Sequence, residues 1–495
     1  MTGKISDENV QTQQDKRWLT LYVLCAGVLM IVLDTTIVNV ALPSIQVDLA
    51  FNATTLVWIV NAYMLTFGGF LLLGGRLSDL YGHRRLFLLG LSLFTVASLV
   101  CGLANSQGVL ITARAVQGLG GAVVATVALS LIMTMFTEPG ERAKAMGIYG
   151  FVCAGGGSIG VLLGGLLTNT LNWHWIFLVN IPIGAVVYVV CRGLIPQDNG
   201  LVQGRSLDVG GAITITASLM LAVYGIVNGN EAGWLSNHTI VLLAAAVLLF
   251  VSFVLIEARA ATPLMPLHLV CRRNIATANV VGMLWSAGMF AWFFISALYM
   301  QLVLGYSALQ VGLAFLPANV IMALLSLGLS SRIVMRFGIK VPLVGGLLLA
   351  SAGLALFSFA PVNGTFAAHV LPGMLLLGFG CGVALNPLLL AAMSDVSNED
   401  SGLASGIVNT SFMMGGALGL AILASIAAAR TLYLAQGGLV KIAALTGGYQ
   451  LAFMIGALFA LGAAVIGALL FKAKAPANPH GVVAVVSELL QPATE

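Results

Sequence analysis

Asp34 stands in the middle of a long apolar stretch, within LDTTIVNVALP at residues 33–43. An ionised carboxylate at bilayer depth costs roughly 2.5–3.5 kcal/mol on insertion scales. In a chain with no other visible reaction chemistry, its natural use is to bind and release a proton or a cation. Arg114 is the matching cation, set inside another apolar stretch. Asp34 lies about nine and Arg114 about seven residues from the predicted ends of their stretches, which puts both about 10–14 Å deep at 1.5 Å per residue. A guanidinium beside Asp34 favours the carboxylate, and burial without it favours the neutral acid. Alternation between the two states would make a proton switch. The plainer reading is a static pair that fixes helix packing, although such a pair is often no better than an apolar contact. Thr35 and Asn39 share an arc of about 140° with Asp34 on a helical wheel. That polar stripe reads either as a hydrated proton path with substrate contact or as ordinary helix–helix hydrogen bonding.

Further along, Trp285, Met289, Trp292, Ser296 and Tyr299 recur at i, i+4, i+7, i+11 and i+14. An aromatic and methionine wall suits a large, flat, variable and often cationic guest. The alternative is a packing or lipid-facing surface. Trp58, Asn61, Tyr63, Gln117, Phe412 and Met413 are further candidates for such a wall. Asn386-Pro387 is expected to interrupt its helix and mark a bend near the cavity. The loop GRLSDLYGHRR at 75–85 gathers Asp79 with Arg76, Arg84 and Arg85. Asp79 could pair with a basic residue there and latch one conformation, or the charges could simply hold the loop on one side. The six histidines and six cysteines show no metal-ligand or disulfide spacing. No phosphate loop and no nucleophile–base pair appears either. The reading is therefore no enzyme, no metal and no cofactor, with a proton gradient as the energy source.

These residues need a scaffold, and the composition supplies it. Hydrophobic residues make up 59% of the 495 and charged residues 8%, against about 25% charged in an ordinary soluble domain. The fold class is all-α integral membrane. Spans are predicted at 18–42, 54–75, 86–105, 108–135, 145–168, 173–192, 207–228, 239–257, 275–300, 308–331, 341–361, 366–392, 403–430 and 448–471. Fourteen spans put both termini on one side. Eighteen of the 21 Lys and Arg residues fall on that side, which makes it cytoplasmic. No cleavable signal peptide is expected. Residues 1–17 and 472–495 read as cytoplasmic tails.

The chain also repeats. Aligning Gly82 with Gly338 places Arg76 on Arg332 and Arg84 on Lys340, with Arg336 in the second copy and Met335 where Asp79 stands in the first. Gly156, Gly160 and Gly164, followed by Gly165, and then Ser411, Gly415 and Gly419, give close-packing faces in corresponding spans. Two six-helix bundles, 18–195 and 275–471, therefore flank two inserted helices at 207–257, which are expected outside the twelve-helix core. Parallel repeats about a membrane-normal axis are a transporter architecture, with the substrate between the halves.

These motifs resemble the major facilitator superfamily, and within it the fourteen-helix drug:proton antiporter branch. LDTTIVNVALP (33–43) resembles that branch's first-helix signature. Residues 75–85 match the superfamily loop at Gly75, Leu77, Asp79, Gly82 and Arg84, with Leu80 where a basic residue is usual. Leu110, Arg114, Gln117 and Gly118 match the fourth-helix pattern, and 160–165 resembles the antiporter motif with Val161 in place of its proline. NWHWIFLVNIPIG (172–184) is similar to the branch's sixth-helix entry. In the resembled fold the first and fourth helices share one half, so Asp34 and Arg114 are expected in one network. The resemblance also favours a latch around Gly75, Asp79, Gly82 and Arg84, with Arg332 and Arg336 in the second copy.

The expectation is a proton-coupled exporter of amphipathic, cationic organic compounds in the cytoplasmic (inner) membrane, working by alternating access. A dedicated exporter of one metabolite or antibiotic is the first alternative; a proton-coupled importer and a channel or lipid scramblase are more distant ones. The expected partners are the lipid bilayer, small organic substrates and protons, with no nucleic acid. An envelope adaptor protein leaves no mark in the sequence, and the chain is read as a monomer.

Overall fold

The computed structural model describes residues 2–136, 138–195, 208–260, 263, 265–325, 329–393 and 401–471. The longer helices are α1 (Thr2–Asp48), α2 (Trp58–Tyr81), α3 (His83–Gly102), α4 (Gln107–Met135), α5 (Pro139–Thr170), α6 (Asn180–Leu194), α7 (Val209–Ala232), α8 (Asn237–Arg259), α9 (Arg273–Leu298), α10 (Ala308–Leu324), α11 (Lys340–Phe357), α12 (Leu371–Met393), α13 (Ser401–Gln436) and α14 (Lys441–Leu470). Among the described residues thirteen helical segments are long and apolar enough to cross a bilayer, and α10 is a shorter apolar helix of 17 residues. Long apolar runs make helices here because a lipid environment leaves the backbone no other hydrogen-bond partner. Local signals set several starts. Asp208 caps α7 through the Gly211 N–H, and Ser307 with Gln310 forms a capping box at α10.

Several boundaries differ from the sequence expectation: α1 is helical from Thr2, through the expected tail, to Asp48, α13 runs on to Gln436, and α14 starts at Lys441. Helix α5 begins at Pro139, a favoured first-turn residue. In the tenth span the α-helix gives way to π-helix at Leu325, residues 326–328 lie outside the described residues, and α-helix is present again at Ser330–Phe337. The helix α12 runs unbroken through Pro387, so Asn386-Pro387 does not interrupt it; neighbouring helices can re-satisfy what a proline frees. Residues 196–207 and the expected tail 472–495 lie outside the described residues.

Packing repeats between the halves. The neighbours α1/α5, α2/α4, α3/α4, α3/α6 and α1/α6 recur as α9/α13, α10/α12, α11/α12, α11/α14 and α9/α14. Two seams join the halves: α2 against α13 and α5 against α10. The α5/α10 seam closes at the end remote from the basic loops. There a Cβ on Gly165 would stand 2.6 Å from the Ala308 carbonyl, and one on Gly312 would stand 2.9 Å from that of Val161. Backbones this close need glycine on both sides. Gln301 Nε2, just past α9, donates to the Val40 carbonyl of α1 at 3.0 Å. The inserted α7 and α8 pair with each other, and α7 lies against both α2 and α13. The pair is thus peripheral, yet α7 touches both halves.

Candidate functional site

Five helices of the first half converge on Asp34, which is fully buried with Arg114 and Gln117. Arg114 Nη1 donates to Asp34 Oδ2 at 2.5 Å. Gln117 Nε2 donates to Asp34 Oδ1 at 2.7 Å, and Asn180 Nδ2 reaches the same oxygen at 3.2 Å. Both carboxylate oxygens are therefore occupied. The guanidinium is held as firmly: its Nε donates to the Ile59 carbonyl at 2.9 Å and its Nη1 also donates to Gln117 Oε1 at 2.7 Å. Its carbon lies 4.4 Å from the centre of the Tyr63 ring and 5.6 Å from that of Phe177. Gln117 donates further to Ser98 Oγ at 2.7 Å.

Helix geometry explains the set. Arg114 and Gln117 are three residues apart and share one face of α4. Asn180 is the first residue of α6, delivered by the short helical turn Trp175–Leu178. On the other side of α1, the α5 glycines admit the backbone: a Cβ on Gly160 would stand 2.9 Å from the Leu33 carbonyl, and one on Gly164 2.6 Å from that of Ile37. The donors from α4 and α6 meet the carboxylate where water does not reach it, and taking a carboxylate out of water without such partners costs several kcal/mol. What the arrangement offers chemically is a buried acid whose access to water depends on where these donors stand.

The profile of the Major Facilitator Superfamily matches residues 24–420, from α1 into α13. The chain belongs to the Major Facilitator Superfamily. It is 39% identical to the puromycin resistance protein pur8 of Streptomyces alboniger over 90% of each chain. It is 37% identical to the cephamycin export protein CmcT of Amycolatopsis lactamdurans over 98% of this chain and 97% of that one. Among solved structures it resembles an auto-inhibited peptide transporter of the POT family, at a TM-score of 0.65 and 16% identity, covering 93% and 98% of the two chains. That likeness is one of fold.

Within this superfamily scaffold the remaining candidates divide. Tyr63 and Gln117, read from sequence as substrate contacts, sit in the Asp34 network. Asn180, Ser98 and the Ile59 carbonyl were missed. Asn180 lies in the quoted 172–184 motif; for Ser98 and a backbone carbonyl the sequence carries no signal. Thr35 and Asn39 donate to carbonyls of their own helix, Thr35 to Val32 and Asn39 to Thr35 and Thr36. They add no contact to Asp34.

Asn61 spans the α2/α13 seam by donating to the Ala417 carbonyl at 3.0 Å. Trp285 packs edge-on against Phe412, and Met413 meets Gly68 across the same seam. Met289 is partly buried beside these groups. Trp292 packs against Phe315 of α10. Trp58 instead faces Tyr224 of the inserted pair at 6.3 Å. Tyr299 gives its hydroxyl to the Pro361 carbonyl at 2.7 Å. Asn386 is partly buried on α12.

In the loop region Gly82 takes φ +86° between α2 and α3, a conformation that favours glycine. Arg84 reaches the Arg192 carbonyl at 2.5 Å, tying α3 to the last turn of α6. Gly75 lies within the last turns of α2, while the side chains of Arg76 and Asp79 lie outside the described residues. Arg332 and Arg336 are exposed, and Arg336 lies over the Phe337 ring.

Proposed function

We propose that the chain is a proton-coupled exporter of amphipathic organic compounds, working by alternating access between its two halves in the cytoplasmic membrane. The observation that carries this reading is the full enclosure of Asp34 by Arg114, Gln117 and Asn180 inside one half. A carboxylate enclosed on every side meets a path for protons when its donors move, and on this reading that motion ties proton binding to conformation. The excess of Lys and Arg in the loops at the end remote from the α5/α10 closure supports cytoplasmic termini. On that reading the closed α5/α10 seam is the outer one. Asp34 would release a proton to the cytoplasm and collect the next from outside.

Energetics fit such a device. One proton moving down 100 mV yields about 2.3 kcal/mol, enough for roughly fifty-fold accumulation of a neutral solute. A singly charged cation exchanged for one proton moves no net charge, so ΔpH alone would drive it. The test is efflux of a dye panel from proteoliposomes under an imposed ΔpH, comparing wild type with Asp34→Asn. Uphill movement by wild type and none by the variant is expected; equal accumulation by both would refute the role of Asp34.

The names of the relatives, a puromycin resistance protein and a cephamycin export protein, favour a second reading, export of one antibiotic. Transport of a single compound in the same panel would select it.

A further inference from the structure

We propose that Trp292 and Asn319 form a donor pair that reads a hydrogen-bond acceptor oxygen, such as a carbonyl, on the exported compound. The inference rests on the exporter reading and names one chemical feature of its substrate.

Both side chains are almost fully buried, Trp292 at 1% and Asn319 at 2% exposure. Neither Trp292 Nε1 nor Asn319 Nδ2 has a hydrogen-bond partner among the described residues. A buried N–H without an acceptor is costly, and native structures keep few of them. A ligand oxygen between them would complete both.

Position supports this. Trp292 on α9 packs edge-on against Phe315 of α10, with ring centres 5.7 Å apart. Asn319 follows one turn later on α10. It lies seven residues beyond Gly312, on the same face, and Gly312 is where α10 meets Val161 of α5. Asn319 therefore looks along the seam between the halves, about two turns inward from the closed end. Across the seam, Ser158 lies three residues before Val161, and its buried hydroxyl is also without a partner. These three unpaired groups thus belong to the stretch of α5, α9 and α10 just beneath the point where the halves close.

Chemistry selects the ligand. The two α9–α10 groups are N–H donors, and the buried polar side chains of the second half include no carboxylate among the described residues. Such a corner takes an oxygen acceptor rather than an ammonium group. The Phe293 and Phe315 rings, stacked at 5.3 Å beside it, provide an aromatic flank for a ring that carries that oxygen.

The test compares 2-aminoanthraquinone with 2-aminoanthracene, which lacks the two carbonyl oxygens. Binding to the full chain in phospholipid nanodiscs is measured by equilibrium dialysis against empty nanodiscs. Wild type should prefer the quinone by about tenfold, and Asn319→Leu and Trp292→Phe should each erase most of that preference while holding the hydrocarbon within about twofold. Phenylalanine keeps a ring at 292, so at least one variant tests the N–H without emptying the core. A wild type without preference overturns the proposal, as do variants that lose both probes equally or neither. No pH gradient enters the measurement, so its failure is distinct from failure of proton coupling.

Discussion

Gln117 lies against Asp34 with its amide turned both ways: Nε2 donates to the carboxylate at 2.7 Å, and Oε1 accepts from Arg114 at 2.7 Å. One side chain therefore holds the acid and the base at a fixed separation. Gln117→Leu should leave both ions buried with one contact fewer each. Uphill transport should fall at least about tenfold, since two charge-assisted hydrogen bonds are lost. Substrate exchange at equal pH should persist. Rates of ΔpH-driven efflux and of counterflow, compared in the same liposomes, check the split.

Arg114 is more than a charge. It contacts Asp34, the Ile59 carbonyl, Gln117 and the Tyr63 ring through one planar fork, and lysine cannot reproduce that geometry. Arg114→Lys should fold and lose at least tenfold in coupled transport. Arg114→Leu should lose about 3–5 kcal/mol of stability by leaving Asp34 buried and uncompensated. Thermal unfolding in detergent, read beside transport, distinguishes the two.

The ion pair was legible in the sequence because a lone acid and a lone base each stood inside an apolar run at matching depth. Its neighbours were less so. Gln117 and Tyr63 were visible as polar residues within spans, but nothing in the order of residues says that they turn to Asp34 rather than to a guest. The glycines at 156, 160 and 164 announced a close approach without naming α1 as the partner, and Gly165 faces α10 instead. Helix count and repeat were readable because length, hydropathy and charge placement are local properties. The contact of α7 with both halves was not, since it depends on which surfaces the finished bundles leave open.

Closure of the α5/α10 seam depends on bare backbone. Leucine at Gly312 would press on the Val161 carbonyl, and leucine at Gly165 on that of Ala308. Overpacking of this kind costs about 1–3 kcal/mol, and it should act on the closed-outside state alone. Both variants should bind substrate from the outer face more readily than wild type and transport more slowly. Labelling of a cysteine placed near the seam by an impermeant reagent measures the shift.

On the inserted pair, Asn230 donates to the Ser425 carbonyl at 2.7 Å and to its hydroxyl at 2.8 Å, tying α7 to α13. Meanwhile Thr216 of α7 crowds Gly69 of α2. Asn230→Leu should cost about 1–2 kcal/mol and loosen α7 from the second half alone. Hydrogen exchange along α7 should rise near residue 230 and stay low near residue 216.

Coupling itself is tested most directly by counting protons. Liposomes carrying an internal pH dye and the reconstituted protein are given a transported substrate, with no gradient imposed. Wild type should move protons opposite to the substrate, while Asp34→Asn should exchange substrate across the membrane without any proton signal. Proton movement that survives in Asp34→Asn, at the wild-type ratio to substrate, would contradict the account.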